Sequence, residues 1–149
     1  MLKHVLIFVT ILLLAADARS QGPVKWIFTV EKIDAQTYDV HLTATVQRPW
    51  HIYSMSSPVK GALPTKIVFS KNPLITLADA PRETGRMETK YEEAFGLEVK
   101  YYNDRVDFMQ RVKIKGRVKT NLAGTIEFMV CNDTQCLPPQ KLPFNIRLQ

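Results

Sequence analysis

Cysteine, histidine and glycine are scarce in this chain: two, three and six among 149 residues. Two cysteines cannot build a disulfide-dense scaffold or a four-cysteine zinc site. The longest apolar run, Val5 to Ala16 with Thr10 as its one interruption, has 12 residues, whereas a bilayer span takes roughly 20. No apolar pattern at helical spacing is sustained, and Lys90 to Phe95, enough for one or two turns, is the nearest candidate helix. Internal repeats and low-complexity tracts are absent as well. What is present is globular: 46% hydrophobic and 23% charged residues, in a length that favours one domain. A multi-domain enzyme, a membrane transporter and a low-complexity polymer are thereby excluded.

The N-terminal segment reads as an address. Lys3 and His4 precede the short apolar run, and small residues follow it, the layout of a secretory signal. Cleavage fits after Ala18 or after Ser20. The second is preferred, because Gln21-Gly22-Pro23 then leads directly into the first strand. Residues 1–20 are expected to be the signal and residues 21–149 the mature domain. Loss of Lys3, Asp17 and Arg19 leaves 18 basic and 13 acidic residues. The expected product is an exported monomer, periplasmic if the source is bacterial, with no integral membrane segment once the signal is gone. In an oxidising compartment a disulfide persists.

Period-two alternation recurs along the rest. Val24, Trp26, Phe28 and Val30 share one face, as do Tyr38, Val40, Leu42, Ala44 and Val46. Shorter pieces carry Ile67 and Phe69, then Leu74 and Leu77. Longer ones carry Val106, Phe108, Val112 and Ile114; Ile126, Phe128 and Val130; and Leu142, Phe144, Ile146 and Leu148. Polar residues occupy the opposite faces, the pattern of antiparallel sheets with one side on a core. About seven to nine strands at this spacing predict an all-β fold, an immunoglobulin-like two-sheet antiparallel sandwich.

Cys131 and Cys136 lie between the run ending at Val130 and the one beginning after Pro139. The intervening residues form the turn of an antiparallel pair, whose facing Cα atoms are about 4.5–5.5 Å apart, within disulfide range. A ring of about six residues contributes on the order of 2 kcal/mol on the chain-entropy model, against nearly 5 for a ring of about 100. Strand parity turns Cys131 away from the face of Ile126, Phe128 and Val130. A short, local, outward-facing pair is better placed for exchange than for holding a core. A minor structural disulfide at a hairpin is the alternative on spacing alone.

The stretch from Cys131 to Cys136, followed by Leu137-Pro138-Pro139, resembles the active-site hairpin of the N-terminal periplasmic domain of DsbD, the thiol:disulfide interchange protein. Glu92-Glu93-Ala94-Phe95-Gly96 resembles that family's cap loop, an acidic pair followed by aromatics and glycine. Trp50-His51-Ile52-Tyr53 resembles the segment whose tyrosines line the same site. The resemblance implies an immunoglobulin-like fold and a cap covering the disulfide until a partner docks. It also implies exchange with thioredoxin-like proteins as electron donor and acceptor, with no cofactor. Cys136 would form the mixed disulfides and Cys131 would resolve them. Glu92 and Glu93 would modulate thiol or proton chemistry, Phe95 would be the lid, and His51 and Tyr53 would line the site. Three departures stand out: the cysteine spacing is one residue shorter, Ala94 leaves Phe95 as the only cap aromatic, and His51 replaces a tyrosine. The sequence holds neither a membrane electron-transfer unit nor a Cys-x-x-Cys thioredoxin domain, so the expected electron source is a separate protein.

Two rivals come from other classes. Cys131, Cys136, His51 and Met55, Met87, Met109 and Met129 are soft donors suited to Cu(I), although no Met-x-x-Met cluster occurs. A non-catalytic sandwich binding another exported protein is the second. The basic alternation Lys113, Lys115, Arg117 and Lys119 has no interleaved aromatic platform, so nucleic acid is not expected. It reads as a solvated face, or one turned to an acidic partner or membrane surface. Asn132-Asp133-Thr134 fits a glycosylation sequon.

Overall fold

The computed structural model describes residues 22–149. The expected signal segment and both cleavage sites lie outside the described residues. Among the described residues there is no helix, and none long and apolar enough to cross a membrane. The all-β expectation holds, and Lys90–Phe95, the nearest candidate for a helical turn, pairs as a strand and then turns.

An antiparallel sheet of five strands forms the first layer. β1 (Val24–Lys32) pairs with β2 (Thr37–Val46), and β2 with β9 (Arg105–Ile114). The β1–β2 turn is set by Asp34, whose Oδ1 accepts from the backbone N–H groups of Gln36 and Thr37 at 2.8 Å each, a local bond that favours the turn over continued strand. The far edge of β9 is shared by β5 (Ile75–Leu77) and β6 (Arg82–Gly85).

The facing layer is split. β10 (Thr120–Phe128) lies between β12 (Gln140–Leu148) and β4 (Lys66–Phe69). At Met129 the chain leaves that sheet, and β11 (Val130–Cys131) pairs with β3 (His51–Tyr53). β3 pairs in turn with β8 (Leu97–Tyr102), and β8 with β7 (Glu88–Glu92). The twelve strands exceed the seven to nine expected, because several are only two to five residues long.

The main core gathers the alternating residues of all three sheets. Trp26 stacks on Phe108 at 5.9 Å and meets Phe128 edge-on at 5.3 Å. Each such fully buried side chain contributes roughly 1.5–3 kcal/mol. Gln110 interrupts the apolar face of β9 between Phe108 and Val112, buried, and its Nε2 donates to the Asp79 and Arg111 carbonyls at 2.8 Å. Three expected core residues are exposed instead: Val30, Leu74 and Leu77. Val30 is near the far end of an edge strand, while Leu74 precedes and Leu77 ends a three-residue edge strand, where little chain remains to cover them.

A second, smaller core lies on the other face of the β11–β3–β8–β7 sheet. It comprises Tyr53, Val99, Tyr101, Met129, Cys131 and Ala62, with Phe95 and Leu97 packed against it.

Candidate redox site

The cysteine hairpin is held by its own polar atoms. Asn132 Oδ1 accepts from Thr134 N at 2.9 Å, Thr134 Oγ1 at 3.0 Å and Gln135 N at 2.8 Å. Asn132 N donates to the Gln135 carbonyl, and Leu137 N to the Val130 carbonyl. This brings the Cys131 and Cys136 Cα atoms to 4.0 Å, and the sulfurs are bonded. The disulfide across the hairpin mouth is as the spacing predicts.

Its exposure is not. Parity holds, since Phe128 and Val130 enter the main core while Met129 and Cys131 turn the other way. That second face is covered, however, so Cys131 is only 2% exposed, whereas Cys136 is exposed. The expected outward-facing pair is therefore an asymmetric one, with one cysteine buried and the other exposed. Alternation shows which face a residue takes; it does not show what packs on that face.

The cover is the β7–β8 hairpin. Its turn, residues 93–96, is closed by Phe95 N and Gly96 N donating to the Glu92 carbonyl at 3.1 and 2.8 Å. Gly96 sits at φ +66°, a left-handed conformation that glycine adopts without steric cost. Phe95 is half-buried over the second core, and its ring lies against Gly61, where a Cβ would stand 2.0 Å from a ring carbon. Sequence reasoning passed over Gly61; nothing local distinguishes it from any other loop glycine.

A cleft of about 290 Å³ runs between cap and disulfide, lined by Glu92, Ala94, Phe95, Tyr53, both cysteines and the hairpin turn. Glu93 is exposed and outside this lining, so the acidic pair divides. Lys90 Nζ spans the two hairpins, 3.5 Å from Glu92 and 3.7 Å from Asp133. Lys90 and Asp133 are exposed and Glu92 only half-buried, so both contacts contribute little to stability.

The floor comes from β3 and β8. His51 and Tyr53 are buried, with His51 Nε2 and the Tyr53 hydroxyl hydrogen-bonded at 3.1 Å. The His51 ring also lies 4.7 Å from that of Tyr101, a buried neighbour that sequence reasoning had not singled out. Its signal was the alternation Leu97, Val99, Tyr101 along β8. Trp50, by contrast, packs on the main core. Burial pushes His51 below its ordinary value, opposed by the nearby Glu92 carboxylate. Burial, with Glu92 and Tyr101, pushes the Tyr53 phenol up to about 12. At neutral pH the site is therefore floored by a neutral imidazole and a neutral phenol.

The methionines do not gather at the cysteines. Met55 packs on the main core, Met109 lies half-buried on β9 and Met87 is exposed; only Met129 joins Cys131. Among the described residues, no group of three or more His, Cys, Asp or Glu side chains is placed to hold a metal ion.

No curated protein matches the chain. Among solved structures, the N-terminal periplasmic domain of ScsB from Proteus mirabilis is similar with a TM-score of 0.63 at 15% identity, over 86% of this chain and 47% of that one. The chain thus spans about half the length of that relative. The reduced N-terminal domain of DsbD from Neisseria meningitidis aligns at a TM-score of 0.46 and 14% identity, over 81% of this chain and 83% of that one. The same values for the complex between the DsbD and PilB N-terminal domains of Neisseria meningitidis are 0.46 and 11%, over 80% of each chain. At these identities the likeness is one of fold, the immunoglobulin-like β fold expected from the strand pattern. Residues 20–147 match the family described as thiol:disulfide interchange protein DsbD, N-terminal, and the chain belongs to that family.

Proposed function

We propose that this domain is an exported, periplasmic thiol:disulfide exchange protein, comprising residues 21–149 after removal of a signal at 1–20. It passes electrons from a thioredoxin-like donor to oxidised client proteins through Cys131 and Cys136. The observation that carries the reading is the asymmetry of the disulfide: Cys136 is exposed, while Cys131 is buried under the cap. Exchange needs access to one sulfur and a leaving thiol beside it.

A donor thiolate attacks Cys136 Sγ, the Cys131–Cys136 bond breaks, and its electron pair stays on Cys131 Sγ, which takes up a proton. The donor's second thiolate then attacks its own sulfur in the mixed disulfide and leaves Cys136 as thiolate. The donor is oxidised and the pair reduced. In the second half, Cys136 attacks a client disulfide, and Cys131 attacks Cys136 Sγ to release the reduced client. Phe95 and Glu92 line the entrance; Glu93, outside it, faces an arriving partner.

A purely structural role is the weaker reading. The closed ring is short, contributing about 2 kcal/mol, and Asn132 already holds the turn through three hydrogen bonds. The test is trapping. Cys131→Ser, produced in its own host, is expected to accumulate mixed disulfides through Cys136 with thioredoxin-like proteins. If neither Cys131→Ser nor Cys136→Ser captures any such protein, the reading is wrong.

A further inference from the structure

His51 and Cys131 stand directly opposite each other in the β3–β11 register. Opposed residues of an antiparallel pair hold their Cβ atoms roughly 4.5–5.5 Å apart on one face of the sheet. Both are buried, His51 at 6% exposure. The imidazole is fixed by the Tyr53 hydroxyl at Nε2 and by the Tyr101 ring. Among the described residues, the ion pairs that involve histidine are those of His41 with Glu31 and Asp107; His51 has no carboxylate in contact. The groups facing it are Glu88, Lys90 and Glu92 on β7, Asp133 on the cysteine hairpin, Tyr101 on β8 and Tyr53 on its own strand.

We propose that His51 is the proton acceptor and donor for Cys131, a role that rests on the exchange reading above. In the closed disulfide Cys131 carries no charge, and a buried imidazolium beside it would lack a counter-ion, so His51 stays neutral. Opening the bond places an electron pair on Cys131 Sγ in the same enclosed space. A lone buried thiolate is as costly as a lone buried imidazolium, but the two together compensate each other. The proton taken up on reduction therefore resides on the His51–Cys131 pair.

In the reverse step, neutral His51 accepts the Cys131 Sγ–H proton. The thiolate attacks Cys136 Sγ of the mixed disulfide, the new sulfur–sulfur bond forms, and the client thiolate leaves with the electron pair. A tyrosine, which the resembled family has at this position, offers no basic nitrogen for that transfer.

The test uses Cys136→Ser, in which Cys131 is the sole thiol. Thiolate absorbance is followed against pH, with and without His51→Gln and with Tyr53→Phe as a hydrogen-bond control. His51→Gln is expected to lower the thiolate fraction at pH 7 by about tenfold or more, the equivalent of a one-unit rise in thiol pKa. Imidazole resonances of the unmutated chain supply a second reading that needs no substitution. The His51 titration is expected to move to higher pH on reduction with dithiothreitol.

An unchanged thiolate curve together with an unmoved His51 titration overturns the proposal, even if partners are trapped through Cys136. Conversely, a coupled titration without any trapped thioredoxin-like partner leaves the pair standing and removes the exchange function.

Discussion

The Phe95 ring rests on Gly61, so closely that a Cβ at residue 61 would lie 2.0 Å from the ring. The cap over the disulfide is thus seated on a loop some 34 positions upstream of it. Gly61 also sits at φ +86°, a conformation costing an L-residue on the order of 1–2 kcal/mol. Gly61→Ala is expected to displace Phe95 and lower Tm by several degrees. Reduction of the disulfide by dithiothreitol should accelerate several-fold in stopped-flow measurements. An unchanged rate would show that the seat does not control access.

Phe95→Ala keeps the Gly61 backbone and removes the cover alone. The ring is only half-buried, so the stability cost should fall at or below the low end of the 3–5 kcal/mol typical of buried Phe→Ala changes. The rate of reduction should rise at least as much as in Gly61→Ala. Chemical denaturation and dithiothreitol kinetics on the same sample separate the two effects.

The two sulfurs should react unequally. After reduction, alkylation by iodoacetamide is expected to label exposed Cys136 about tenfold or more faster than buried Cys131, by peptide mass analysis. Reduction itself should lower stability by only about 2 kcal/mol, because the ring it opens is short. Equal labelling would contradict the covered position of Cys131.

Stability should fall with acidity in two separate windows. Burial holds His51 below 6.5 in the folded state, so the unfolded chain binds the proton first and stability declines as pH drops below about 6.5. Asp39 is held below 3.8 chiefly by its hydrogen bonds from Arg111, both at 2.7 Å. Its contribution is present above that value and lost as pH falls through the lowered one. His51→Gln should remove the upper window and Asp39→Asn the lower, as read from denaturation midpoints against pH. Asp39→Asn should also cost about 1–3 kcal/mol at neutral pH.

Much of the fold was legible because alternation is a local signal. Tyr38 through Val46 and Val106 through Ile114 show their faces without reference to any other strand, and the structure buries them as expected. The hairpin was equally legible: Asn132 makes its hydrogen bonds within three residues, so the closeness of Cys131 and Cys136 follows from nearby chain alone. At Lys90–Phe95, the nearest candidate for a helical turn, strand pairing decided the conformation. Lys90 pairs with Val99 and Glu92 with Leu97, and that pairing outweighs a weak local preference.

The sequence by itself determined an all-β domain with a disulfide at a hairpin and an acidic, Phe-bearing turn upstream. The tertiary structure alone decided that Cys131 is buried while Cys136 is open, that His51 faces Cys131, and that Phe95 seats on Gly61. These relationships join segments up to 80 residues apart. Period-two patterning specifies two faces for each strand, but which neighbour covers a face depends on pairings made when distant strands meet, and no local pattern encodes them.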